Sequence, residues 1–106
     1  MDHEYVLVIQ FPANDNADFD ALIAIEDDFV STLEPQHSVD GHDFGSGEMN
    51  IFIFSNSPEE VFTGHVRGIL ESHEKLDVAM VAWRPVEGEH YSVLWPQPFR
   101  GEFSVA

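Results

Sequence analysis

The sequence predicts an α+β fold in which two helices pack on one face of an antiparallel sheet. Three features indicate it: a strand over Tyr5 to Phe11, a hairpin over Ser38 to Phe54, and two amphipathic stretches flanking that hairpin. Two further strand segments follow the second helical stretch. This order, βαββαβ with an extra C-terminal strand, is the ferredoxin-like pattern. We expect one domain over residues 1–106.

The first strand is apolar on both faces, which predicts a central position in the sheet, and Pro12 should end it. The first helix should begin at Asn16 or Asp18, both good N-caps, and stop before Pro35. Its predicted buried stripe is Phe19, Leu22, Ile23, Phe29, Val30 and Leu33. The opposite face carries Asp20, Asp27 and Asp28, which form either a solvated face or a binding surface.

The hairpin carries the densest polar chemistry of the chain. Its predicted turn is Gly45-Ser46-Gly47, and its second strand runs from Glu48 to Phe54. Asp40, His42, Asp43 and Glu48 fall within nine residues. On a regular strand Asp40 and His42 would point the same way. These residue types could hold a metal ion or form an acid/base pair around His42, could contact a partner, or could simply make a polar hairpin.

The second helix is predicted from Pro58 to Ser72, with Ser57 as N-cap and Glu60 completing a capping box. Gly64 and Gly68, four residues apart, suggest close packing of this helix on its neighbours. The predicted buried residues are Val61, Phe62, Val66, Ile69 and Leu70.

The last two strands are predicted over Leu76 to Trp83 and over His90 to Trp95, the latter at an edge because Pro96 and Pro98 follow. Trp83 should join the core, whereas Trp95 could be a partly exposed anchor in an interface. We expect the tail from Phe99 to Ala106 to lie against the body.

Twenty acidic and four basic residues leave a formal net charge of −16, which disfavours binding to nucleic acid or to anionic membranes and favours a basic partner. The chain has no cysteine, no signal-like N-terminus and no apolar run long enough to span a membrane, so we expect a cytoplasmic protein without a cofactor.

A resemblance lies in the hairpin and the start of the second helix. V-D-G-H-D-F-G-S-G-E-M-N-I-F-I-F, from Val39 to Phe54, is followed by S-P-E-E-V-F, from Ser57 to Phe62. These stretches resemble small uncharacterised bacterial proteins that share a D-G-H-D-x-G-S-G-E-x-N-I-F core, and that resemblance implies no catalytic residue. In size and charge the chain is also similar to acidic immunity proteins encoded beside secreted bacterial toxins.

The leading hypothesis is a small acidic bacterial protein of the inhibitor or immunity type that neutralises a basic partner. Its contact residues would be Asp20, Asp27 and Asp28 on the first helix, with Asp40, His42, Asp43, Glu48 and Trp95 as further candidates. One alternative is a small enzyme or metal-binding domain built on the Asp40-His42-Asp43-Glu48 hairpin cluster. Another is a dimeric ferredoxin-like domain that binds a ligand between its subunits.

Overall fold

Strand β1 (Tyr5–Pro12) lies at the centre of a five-stranded antiparallel sheet. The computed structural model describes residues 3–13, 16–45, 47–96, 103 and 105. The other elements are α1 (Asn16–Leu33), β2 (Ser38–Gly45), β3 (Glu48–Ser55), α2 (Pro58–Val61), α3 (Arg67–Ser72), β4 (Met80–Pro85) and β5 (Ser92–Trp95). A π-helical turn (Phe62–Val66) joins α2 to α3. The strand order in the sheet is β2-β3-β1-β4-β5. The predicted α+β class, with an antiparallel sheet and two helical stretches, is confirmed.

Both faces of β1 are buried, as its apolar sequence predicts. Leu7, Ile9 and Phe11 face the helices and join the main core cluster. Val6 and Val8 are equally buried on the other face, outside that cluster. On this second face Gln10 lies opposite Asn50 of β3, and the Gln10 side chain donates a hydrogen bond of 3.0 Å to the Asn50 amide oxygen. The sheet therefore has one face covered by helices and one without them among the described residues.

Helix α1 packs on the sheet through a stripe that differs in part from the prediction. The buried residues are Leu22, Ile25, Phe29 and Leu33. Phe19 and Val30, predicted to be buried, are each 39% exposed, because they lie on the flank of a stripe centred on positions 25 and 29. The helix begins at Asn16, so Asp18 lies in its first turn and does not cap it, and it ends before Pro35 as predicted.

The second helical stretch begins at Pro58 as predicted, but the capping box is wrong. Ser57 makes no side-chain cap, and its backbone N–H donates instead to the Ser55 hydroxyl at 2.9 Å. The predicted stripe is largely confirmed, since four of its five residues are buried: Val61, Phe62, Val66 and Leu70.

Gly64 and Gly68 do not serve close packing, which corrects the prediction drawn from their spacing. Both are exposed, and a Cβ atom added to either would meet nothing within 4 Å. Gly64 lies in the π-helical turn and Gly68 in α3. Glycine at these positions therefore weakens the helix without a packing gain.

The last two strands are shorter than predicted. Leu76–Val78 forms a 3₁₀ helix, so β4 begins at Met80. Strand β5 begins at Ser92 and pairs with β4 at the edge of the sheet, as expected. The predicted tail contact from Phe99 onward lies outside the described residues, except that the Phe103 ring packs 4.9 Å from the Tyr91 ring.

Two glycine substitutions should have opposite effects on stability. Gly68→Ala should raise the free energy of unfolding by about 0.5–1 kcal/mol, because alanine is the better helix former and has room there. Gly41→Ala should lower it by about 1–2 kcal/mol, because Gly41 has φ +91°. Urea unfolding followed by circular dichroism measures both. A loss of stability in Gly68→Ala would contradict the open environment described for that residue.

Candidate functional site

The four polar residues of the hairpin do not converge on one site. The register of β2 against β3 shifts between Val39, which faces Ile53, and His42, which faces Ile51. Three residue steps on β2 thus match two on β3, which is a β-bulge, and Gly41 within it takes the left-handed conformation. The bulge reverses the alternation of side chains. Asp40 and His42 therefore point to opposite faces, and the prediction that they share a face is wrong.

His42 contacts helix α1 and neither of its aspartate neighbours. Its Nδ1 atom lies 3.1 Å from one carboxylate oxygen of Glu26 and 3.2 Å from the other. The imidazole also packs edge-on against the Phe19 ring, with centroids 5.9 Å apart. Glu26 was not among the predicted site residues, although its position on the margin of the α1 stripe was a signal. His42 thus ties the hairpin to the helix.

Asp43 and Glu48 lie near the turn, away from Asp40. The Asp43 carboxylate accepts a hydrogen bond of 2.9 Å from the backbone N–H of Phe44, and Glu48 lies opposite Gly45 in the hairpin. In the part of the chain that the structure describes, no group of three or more potential ligands is arranged to hold a metal ion. The geometry gives no support to a metal centre built from the hairpin cluster.

The acidic face of α1 is divided by a contact between Asp28 and His73. Asp20 and Asp27 are exposed seven residues apart and so lie on the same side of the helix. Asp28 instead approaches His73, with 2.5 Å between a carboxylate oxygen and Nε2. The helix therefore presents Asp20 and Asp27 to solvent, while Asp28 links α1 to the end of α3.

Trp95 is half-buried and engaged within the molecule. Its indole N–H donates a hydrogen bond of 2.9 Å to the Leu76 carbonyl oxygen, and its ring lies 6.5 Å from that of Phe62. The Arg67 guanidinium lies 4.9 Å above the indole ring. These contacts anchor β5 to the helical layer.

A cleft of about 870 Å³ lies at the end of the sheet where β1 begins and β3 and β4 end. Tyr5 sits opposite Ser55 on one side and Pro85 on the other, so the start of β1 brings these chain ends together. Asp40 enters the lining from the bulge of β2. The lining residues are His3, Glu4, Tyr5, Ser38, Asp40, Phe54, Pro85, Val86 and Glu87. Of these, only Asp40 was a predicted site residue, since the others become neighbours only through strand register.

Histidines lie close together near this end of the sheet. Burial lowers the pKa of His37 below its ordinary value of 6.5, and the neighbouring His3 and His65 lower it further. The Nδ1 atoms of His3 and His37 are buried, and neither has a hydrogen-bond partner in the described structure. The arrangement favours the neutral form of His37.

Comparisons with models of protein families, with curated proteins and with solved structures return no match for this chain. The resemblance noted in the hairpin and the functional hypotheses therefore remain predictions. Within the residues described, none of the helices combines the length and the apolar character needed to cross a membrane.

The free energy of unfolding should fall as the pH drops below about 6.5, in part because of His37. Its folded-state pKa is lower than its unfolded one, so the unfolded chain takes up the proton first. This contribution to stability is fully present above the unfolded pKa and is lost as the pH falls through it. In His37→Asn the decline between pH 7 and pH 5 should be shallower, as measured by urea unfolding at each pH. Parallel curves for the two proteins would contradict this role of His37.

Proposed function

We propose that this protein is a small acidic binding protein of the inhibitor or immunity type, which neutralises a basic partner protein in the cytoplasm. The observation that carries the proposal is an excess of carboxylates over cations, together with internal contacts for each lysine and arginine among the described residues. The resemblance to small bacterial proteins and the likeness to immunity proteins are part of the same proposal. The chain acts by contact and not by catalysis.

The basic residues of the described part are all engaged within the molecule. Arg84 donates to the carbonyl oxygens of Pro85, Val86 and Gly88 at 3.0, 3.0 and 3.2 Å. Lys75 lies 3.9 Å from Asp18, and Arg67 lies 3.6 Å from Glu71 besides covering Trp95. Against a net charge of −16, these few cations leave a field that attracts positively charged proteins and repels nucleic acid.

The exposed face of α1 is the proposed first contact. Asp20 and Asp27 are exposed on one side of a helix of 18 residues, and neither has an ion-pair partner in the described structure. Carboxylates at the rim of a protein–protein interface mainly raise the association rate and make that rate depend on salt concentration. The hairpin acids Asp40, Asp43 and Glu48 extend the negative surface on the other side of β2.

Capture from a lysate of the source organism at low salt should recover a basic protein that elutes as the salt is raised. With that partner purified, Asp20→Lys combined with Asp27→Lys should slow association on the order of tenfold at low salt, because the steering field is reversed locally. Stopped-flow fluorescence measures the rate as a function of ionic strength.

The control variant is Glu59→Lys combined with Glu89→Lys, which changes the net charge equally at two exposed residues outside α1. Equal slowing by the two variants would show that α1 is not the contact surface. An association rate that does not depend on salt would refute electrostatic steering altogether.

A second candidate function is a ferredoxin-like domain that dimerises and encloses a ligand between its subunits. The observation that favours it is an antiparallel sheet of five strands with helices packed on one face. Val6, Val8 and Ala82, on the other face, are already buried within the single chain, so the contact between two copies would use other residues.

Light scattering after size-exclusion chromatography distinguishes the two candidates. The binding protein is expected to elute as a monomer of 12.0 kDa at micromolar concentration, because a charge of −16 on each copy opposes self-association. A mass of two chains that persists at low salt would favour the dimer.

A further inference from the structure

The cleft at the end of the sheet has a lining of one charge sign. Three carboxylates line it: Glu4 immediately before β1, Asp40 in the bulge of β2 and Glu87 in the turn after β4. No lysine or arginine is among the described residues that line it. Clefts lined by like charges concentrate the field and attract groups of opposite charge.

One aromatic ring completes the lining beside Asp40. Phe54 of β3 is half-buried on the face of the sheet opposite the helices, whereas the Tyr5 side chain alternates to the other face, where its ring packs 5.3 Å from that of Trp83. The face of an aromatic ring attracts a cation, and most strongly one that can lie flat upon it. A volume of about 870 Å³ is also sufficient for a long side chain presented by another protein.

We propose that this cleft receives the guanidinium group of an arginine side chain from the basic partner. The inference rests on the proposed function and names the chemistry that this surface recognises. A guanidinium is planar, stacks on aromatic rings and donates paired hydrogen bonds to carboxylates, which makes it a better fit than a lysine ammonium. A bare metal ion fits poorly, because no suitable group of three ligands occurs in the described residues.

The bulge in β2 is what delivers Asp40 to the cleft. Without the extra residue at Gly41, the alternation along β2 would place residue 40 on the other face of the strand. The same irregularity that separates Asp40 from His42 therefore gives the cleft one of its three carboxylates.

The probe is the tripeptide acetyl-Gly-Arg-Gly-amide, titrated into the protein at low ionic strength and followed by two-dimensional NMR. The matched neutral probe replaces arginine with citrulline, which keeps the shape and removes the charge. We expect the arginine peptide to bind and to shift the amide signals of Tyr5, Asp40 and Glu87. A third peptide, with lysine in place of arginine, should bind more weakly. The citrulline peptide should cause no saturable shift.

Matched variants distinguish binding in the cleft from attraction by the overall negative charge of the protein. Asp40→Asn combined with Glu87→Gln should weaken binding of the arginine peptide about tenfold. Asp20→Asn combined with Asp27→Asn removes as many charges from α1 and should weaken it less than about twofold. Phe54→Leu keeps an apolar side chain but removes the ring, and should weaken binding about threefold. Unchanged circular dichroism spectra show that each variant is folded.

Three results would overturn the inference: no saturable binding of the arginine peptide, equal binding of the citrulline peptide, or equal losses from the two charge-removing pairs. These results leave the proposed function open to its own test. If a captured partner still depends on Asp20 and Asp27 while the peptide does not bind, the binding protein stands and the arginine cleft fails. If neither the partner nor the peptide binds, both fail.

Discussion

The core, the packing of the helices and the cleft all depend on the pairing of β1 with β3 on one side and with β4 on the other. Because β1 is apolar on both faces, it must lie inside the sheet, and its burial draws α1 and the second helical stretch onto the face formed by Leu7, Ile9 and Phe11. The same pairing brings the start of β1 to the ends of β3 and β4. The cleft at this end is thus a consequence of where the central strand begins.

The excess of acidic residues opposes the folding that apolar burial drives. The acidic residues that give the net charge of −16 repel one another, and an exposed ion pair such as Arg67 with Glu71 offsets little of this repulsion. A basic partner would relieve that repulsion as well as make contacts. The uncomplexed protein is held together mainly by its apolar layer, and binding of the proposed partner would add to its stability.

The parts of the fold that follow from local periodicity could be predicted from the sequence. The apolar alternation of β1 and the helical spacing of Phe62, Val66 and Leu70 each have a single physical explanation. The errors arose where a local pattern has several outcomes. The spacing of Gly64 and Gly68 is typical of close packing, but only the tertiary structure shows that both face solvent. The bulge at Gly41 places the side chains of Asp40 and His42 on opposite faces of β2. The cleft depends on the register between strands that are distant in sequence, which no local pattern encodes.

The hydrogen bond between Gln10 and Asn50 has a consequence for how the two central strands find each other. Both amides are almost fully buried, at 4% and 1% exposure, on a face that is otherwise largely apolar near them. A slip of β1 by one residue against β3 would break this hydrogen bond and deprive the buried Asn50 amide oxygen of its donor, at a cost of about 1–3 kcal/mol. Apolar side chains such as Val6 and Val8 tolerate several neighbours. The amide pair therefore selects one alignment of the strands among those that burial alone would permit.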